Sequence, residues 1–375
     1  MATKLYAAGA NVQRAGLDGL PEIRFPDNLR LALGAGRRLG SILREVITLR
    51  RGPGRLSPQE FFYYRLWDPD LPIEEKRRFV GKQAQHPMHL ACNDRAWYAV
   101  VDDKLLFQQT MAGAGLPVPA LRAIIHASRG CHGARTLRSA TDVAEFFSDP
   151  SVYPWFAKPI DGKYSLDVIS GERFDAATDR IVGHRGNAQR IPDLLARIEA
   201  NPGFLIQERL RPPAELVTQF GDQLWSIRLL VLLTPEGPRI SRTVAKIAAG
   251  DNIADNYWRR GNLLGAIDPD TGRICRTVTG SGEALIVNPP HPDTARPITG
   301  TVLPDWPALL DLANRAASTL PGVRTQARDI AVTDRGPVLL EVNFGGDLNL
   351  AQLAWGRGVL DPEFRAHLLQ CGYRL

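Results

Sequence analysis

The sequence predicts an α+β fold in which a mainly helical N-terminal region, residues 1–100, precedes a larger mixed part, residues 101–375. Three observations carry that prediction. The first hundred residues contain stretches that read as helix. Beyond residue 101, short aliphatic segments alternate with helical ones. Near the end, "RDIAVTDRGPVLLEVNFGGD" (328–347) reads as two apolar strands around a turn.

Taken in order, residues 28–50 read as a basic helix whose first half is weakened by Gly34, Gly36 and Gly40. Six arginines from Arg30 to Arg51 accompany Leu43, Val46 and Ile47. The expected arrangement is a surface helix packing its leucines inward, and contact of residues 28–51 with an anionic membrane is the lesser alternative. "RRGPGRLSP" (50–58) reads as a breaker-rich linker, and "LPIEEKRRF" as the clearest start of a second helical stretch. "VDDKLLFQQTMAGAGLPVP" predicts a short helix capped by Asp102 or Asp103 and stopped by Gly113 and Gly115. Strands are expected at 154–160, 204–210 and 226–234, and a helix at 306–320 ending at Pro321-Gly322.

Composition excludes several classes. The apolar fraction of 44% and charged fraction of 23% are those of an ordinary globular protein. The N-terminus lacks the apolar region of a secretory signal, and Leu229–Leu233 is far too short to span a membrane, so cytoplasm is the expected location. Cys92, Cys131, Cys275 and Cys371 are widely separated, which argues against a disulfide framework or zinc knuckle. The arginine-rich net charge of +6 reads first as codon bias and second as a preference for anionic ligands; no RNA- or DNA-binding signature is present and no nucleic-acid partner is expected.

The closing hairpin carries the chemistry. Alternate residues of a strand share a face, so Glu341 and Asn343 point together and Leu340, Val342 and Phe344 point away. A three-residue loop, Asp334-Arg335-Gly336, would pair Thr333 with Pro337 and place Asp329 directly opposite Glu341. A two-residue turn would put those carboxylates on opposite faces. Two carboxylates about 4.5–5.5 Å apart at Cβ repel unless a cation intervenes, and the Asn343 amide oxygen completes a hard ligand set suited to Mg²⁺. Gly345-Gly346, next in the chain, would give a ligand close backbone access.

Magnesium with so few protein ligands implies a nucleotide. Lysines number only 7 among 46 basic residues, so Lys104, Lys158 and Lys246 stand out. Lys158 ends a strand and precedes a polar loop with Gly162, Lys163 and Ser165, an arrangement able to hold phosphates or, equally, that of a lysine snorkelling from a strand end. No GxxxxGK[ST] or GxGxxG motif is present. Glu208, in "QERL", lies where an adenine edge could be hydrogen-bonded. Arg228 inside an aliphatic strand needs an anion, whether a ligand or a structural partner. "NYWRRGNLLGAID" gathers Arg259, Arg260 and Asn262 around Gly261 as a loop for an anion or a plain surface turn.

In order, "DDKLLF…GLPVP", "FAKPIDG", "FLIQERL", "SIRLLVLL", "AKI…RRGNL" and "RDIAVTDRGPVLLEVN" resemble the ATP-grasp superfamily. "RLSPQEFFYYRLWDPDLPIEEKRRFVG" followed by "ND" and "DDK" is most similar to its sugar-transfer-associated branch. The resemblance implies an ATP-grasp domain over 101–375, with a smaller lid-bearing subdomain at about 118–205 and a larger metal-binding one at 206–375. It implies ATP held with two Mg²⁺ by Asp329, Glu341 and Asn343, and phosphates met by Lys104 and Lys158. Glu208 and its backbone would read adenine, and Arg228, Lys246 and Asn262 would face the γ-phosphate and a substrate carboxylate. The implied activity is an ATP-dependent carboxylate–amine ligase making an amide through an acyl phosphate, on a glycan-linked or amino-acid substrate. A small-molecule kinase and a non-catalytic nucleotide-binding partner in glycan assembly are the alternatives. The loop "DGKYSLDV" departs from the superfamily in lacking its second and third glycines, and Lys246 stands where some relatives carry arginine.

Overall fold

The computed structural model describes residues 23–161, 167–199, 203–257 and 259–375. Seven α-helices come first: α1 (Phe25–Gly34), α2 (Leu39–Arg51), α3 (Pro58–Tyr63), α4 (Ile73–Lys76), α5 (Lys82–Cys92), α6 (Tyr98–Asp102) and α7 (Lys104–Gly113). The stretch expected as one helix is broken in two at Gly36, which adopts φ +79°. On α2 it is Ile42 and Leu49 that are buried, while Leu39, Leu43 and Ile47 face outward. The expectation of inward-packed leucines thus holds at Leu49 and partly at Leu29, and is corrected at Leu31, Leu33, Leu39 and Leu43. The segment 52–57 is no free linker either: Leu56 is buried, and a Cβ on Gly54 would lie 1.9 Å from the Phe79 carbonyl oxygen. Ser57 and Glu60 form a reciprocal capping box that starts α3, with Pro58 in its first turn. Asp103 caps α7 by accepting from Leu105 and Leu106 N–H groups at 3.0 and 2.9 Å.

After α7 come β1 (Leu121–Ile125), β2 (Arg135–Leu137), α8 (Ala140–Ser148), β3 (Trp155–Pro159) and β4 (Ile169–Gly171). A small antiparallel sheet follows, β5 (Arg173–Asp175), β6 (Arg180–Val182) and β7 (Ala188–Arg190), then α9 (Ile191–Glu199). The strand β8 (Phe204–Glu208) returns to the first sheet, whose order is β2-β1-β8-β3-β4. Alternation divides its faces. Ala123, Trp155, Ala157, Phe204 and Ile206 form one core with the apolar sides of α8 and α9. Phe156, Lys158 and Gln207 point the other way, into a cleft.

The second sheet is antiparallel throughout. It comprises β9 (Ser226–Thr234), β10 (Gly237–Ile247), β11 (Leu263–Ile267), β12 (Ile274–Thr279), β13 (Ile286–Val287), β14 (Thr325–Thr333) and β15 (Gly336–Phe344), ordered β13-β12-β11-β10-β9-β14-β15. Three helices flank these strands in the chain: α10 (Ala214–Phe220) before β9, α11 (Trp306–Ser318) before β14, and α12 (Leu348–Trp355) after β15. One face packs Leu229, Val231, Ala245, Ile247 and Leu263 against α11. The opposite face packs Leu230, Leu232, Val244 and Leu264 against α12, the N-terminal helices and a last helix, α13 (Pro362–Gln370). The described N-terminal helices thus share a core with the large sheet. A buried polar network seals the junction: Tyr64 and Gln85 donate to Asn349 Oδ1 at 2.7 and 2.8 Å, and Val80 N–H to Gln352 Oε1 at 2.7 Å.

Candidate active site

The face of the large sheet that carries Leu230 and Leu232 becomes polar toward one end. Arg228 on β9 pairs with Asp329 on β14, which pairs with Glu341 on β15, so three charged residues stand in one row across three strands. Val244 on β10 is the opposite neighbour of Arg228, and Lys246, two residues on, shares its face. Together they floor a cleft of about 430 Å³ between the two large sheets. Phe156, Lys158 and Gln207 form the facing wall, and Lys158 Nζ donates across it to the Leu340 carbonyl at 3.4 Å.

The hairpin reaches this geometry by a route different from the expected one. Its turn has two residues, with Thr333 paired to Gly336 and Val332 to Pro337, which corrects the Thr333–Pro337 pairing. By itself that turn would place Asp329 and Glu341 on opposite faces. A bulge intervenes: Ile330 pairs with Leu339 and Asp329 with Glu341, leaving Leu340 as the extra residue that restores the phase. Glu341 and Asn343 consequently share the cleft face, and Asn343 Nδ2 donates to Glu341 Oε1 at 3.4 Å.

Charge pairing is dense at the floor. Arg228 grips Asp329 with two hydrogen bonds of 2.8 and 2.7 Å, and Lys246 Nζ donates to the same carboxylate at 2.8 Å. Lys246 also pairs with Asp255 at 3.1 Å, and Glu341 lies 3.8 Å from Arg228. Burial alone would push the Asp329 carboxyl up, but Arg228 and Lys246 outweigh it and hold it well below the usual carboxylate range. Conversely, Lys246 is raised: burial opposes its charge, and Asp255 and Asp329 more than compensate. Burial lowers Lys158 to about 8, with Glu341 pulling it up and Lys104 pulling it down.

Lys104, Lys158, Glu208, Arg228, Lys246, Asp329, Glu341 and Asn343 all line the cleft. Lys163 and Ser165 lie outside the described residues. Asn262 is placed elsewhere. Only 1% exposed, it accepts from Ala249 N–H at 3.0 Å and donates to the Ala254 and Asn256 carbonyls at 3.0 and 2.7 Å. It pins the 249–256 loop, which brings Asn252, Asp255 and Asn256 to the cleft. Glu208 likewise has its carboxylate engaged, accepting from Ala120 N–H at 2.9 Å and pairing with Arg335 at 2.7 Å. Gly346 lines the cleft, and both glycines also serve packing, since added Cβ atoms on Gly345 and Gly346 would meet His89 Nδ1 at 1.8 Å and the Ala327 methyl at 2.2 Å. Asp255 was not foreseen, although a buried strand lysine requires an acid and the acid-bearing loop follows Lys246 directly.

The donor set fits a hard divalent cation. Glu341 and Asn343 offer oxygens to the cleft, and a carboxylate has about four acceptor positions, of which Arg228 and Lys246 use three on Asp329.

Residues 83–365 match the family described as sugar-transfer associated ATP-grasp, and the chain belongs to that family. Its fold is accordingly the α+β ATP-grasp fold, whose proteins generally bind ATP and Mg²⁺ and are mostly ATP-dependent ligases. Among solved structures, the ATP-grasp ligase PsnB complexed with minimal precursor is 17% identical at a TM-score of 0.39, over 75% of this chain and 63% of that one. The ADP complex of purK, N5-carboxyaminoimidazole ribonucleotide synthetase, is 14% identical at 0.38, over 74% and 53%. The D-alanine–D-alanine ligase from Bacillus anthracis complexed with ATP is 11% identical at 0.38, over 74% and 67%. This chain therefore spans roughly half to two thirds of those proteins. No curated protein matches it. Among the described residues, no helix is long and apolar enough to cross a membrane.

Proposed function

We propose that this chain is an ATP-dependent carboxylate–amine ligase: ATP phosphorylates a substrate carboxylate, and an amine displaces phosphate from the acyl phosphate to leave an amide. The observation that carries the reading is the row Arg228–Asp329–Glu341 with Lys246 beside it, facing Lys158 across one cleft. In this reading Lys158 meets the triphosphate from the smaller sheet's side, residues 118–205, and Lys104 meets it from the start of α7. The larger part, 206–375, supplies the floor.

Asp329 holds two cations at fixed positions, so Arg228 and Lys246 are pre-organised receptors for the transferring phosphoryl group and the carboxylate it joins. Glu341 and Asn343, with the remaining acceptor position of Asp329, would hold magnesium. When bound, the ion neutralises charge on the phosphates. Glu208 acts through position: with its carboxylate held by Ala120 and Arg335, it fixes the Gln207–Leu210 rim where adenine would lie. Asn262 acts on the loop that carries Asp255, and so on Lys246. In this reading the acid is glycan-linked or an amino acid.

The test is ADP release across paired acids and amines, with Glu341→Gln as blank, followed by product mass. A ligase needs both partners and yields a product lighter by one water than their sum. Hydroxylamine in place of the amine should trap the acyl group as a hydroxamate. ADP release with an alcohol alone, yielding a phosphorylated product, would replace the reading with a kinase.

A further inference from the structure

A second cluster lies apart from the cleft. Cys92 ends α5, Cys371 follows α13 as its cap, and His367 sits one turn earlier in α13, on the face it shares with Cys371. One ligand atom from each lies within 4.8 Å of the others, the only such His, Cys or carboxylate group among the described residues. His367 Nε2 is 3.6 Å from Cys371 Sγ and 2.9 Å from Thr325 Oγ1. Cys92 and His367 are each 2% exposed, and Cys371 is half-buried. The other ring nitrogen, His367 Nδ1, is buried without a hydrogen-bond partner.

We infer that Cys92, His367 and Cys371 form a thiolate–imidazole site for zinc, assembled across the fold from residues far apart in sequence. Geometry supports it. Tetrahedral zinc with Zn–S about 2.3 Å and Zn–N about 2.0–2.1 Å requires an N···S edge of roughly 3.6 Å, which the His367–Cys371 pair already has. Chemistry supports it as well. Two soft sulfurs and an imidazole select zinc over magnesium, so this site and the oxygen-lined cleft would not compete for one metal. Binding replaces both thiol protons with one Zn²⁺ and releases two H⁺. The Thr325 hydroxyl or a water completes the fourth position. Cysteine spacing argues only against local zinc knuckles, and this cluster is not one, since its residues meet through the fold.

The site would fasten α13 to α5 over the start of β14, the strand of Asp329. Asn93, beside Cys92, already accepts from Thr325 N–H at 2.9 Å there, and His89 of α5 packs on Gly345 beyond Glu341 and Asn343. The role is structural and independent of the proposed ligase chemistry.

The experiment is titration of the full chain, stripped of metal and kept reduced by a phosphine, with Co²⁺ as probe. Expected are one equivalent bound, a thiolate-to-cobalt charge-transfer band, tetrahedral d–d bands and displacement by Zn²⁺. Cys92→Ser and Cys371→Ser should each lower affinity at least about tenfold, since loss of even an outer-shell partner costs that much. The exposed Cys275→Ser should change nothing. The wild-type titration decides alone should a variant fail to fold. Absence of charge transfer, bands that survive in Cys92→Ser/Cys371→Ser, or a Cys92–Cys371 disulfide in protein that retains no metal would each overturn the assignment.

Discussion

Replacing Asp329 with asparagine removes the charge that separates two buried cations while keeping the side chain's size. Removing one partner of a buried ion pair costs about 3–5 kcal/mol because the survivor is left uncompensated. Here the low end applies. Lys246 keeps Asp255 at 3.1 Å and Arg228 keeps Glu341 at 3.8 Å, so neither cation is wholly abandoned. About 3 kcal/mol is expected from urea denaturation at pH 7. Adding Arg228→Met removes one of the stranded charges, so the double variant should cost less than the sum, with a coupling of about 1.5–3 kcal/mol. The pH dependence has a definite sign. A carboxyl held below its unfolded value stabilises the fold above that value, near 3.8, and loses the contribution as pH falls through its folded value. Acid should therefore erode wild type more steeply than Asp329→Asn below pH 4. A cost under 1 kcal/mol, or strictly additive single costs, would refute the account of Asp329 as the organiser of the floor.

Three further outcomes follow from the same geometry. Lys158, lowered to about 8 chiefly by burial, is charged below that pH and neutral above it, so calorimetric nucleotide affinity should fall between pH 7 and 9. Lys158→Met should bind weakly and lose that dependence. Asn262→Ala breaks several buried hydrogen bonds and should destabilise the fold by about 1–3 kcal/mol by thermal melting, with or without nucleotide. A role in direct phosphate contact would instead leave the melting temperature of the free protein unchanged. Gly345→Ala combines φ +80° with a Cβ 1.8 Å from His89 Nδ1, and should destabilise by more than 1 kcal/mol, with His89→Ala recovering part of the loss.

The parts legible in the sequence were those written in local pattern. Aliphatic runs marked β3, β8 and β9, Asp103 marked the start of α7, and Pro321-Gly322 the end of α11. The Asp329–Glu341 apposition was also foreseen, though through a three-residue loop. A two-residue turn and a bulge at Leu340 give the same phase, and residue types do not distinguish the two routes. Long-range partners were not legible. Asn262 looked like an anion contact because its neighbours are arginines, yet its bonding is decided by backbone groups six to thirteen residues away. Asp329 read as a metal ligand, while its two cationic partners come from strands over 80 residues upstream. The Cys92–Cys371 proximity depends on the packing of α13 against α5, which spacing alone does not encode.

The central claim is that oxygen-bearing side chains of β14 and β15 hold a metal–triphosphate complex in the cleft. Calorimetric titration of ATP into wild type and Glu341→Gln, each with and without Mg²⁺, tests it most directly. Wild type should take up one ATP only when Mg²⁺ is present, and Glu341→Gln should lose most of that binding while melting normally. Equal uptake by both proteins, or uptake indifferent to Mg²⁺, would contradict it.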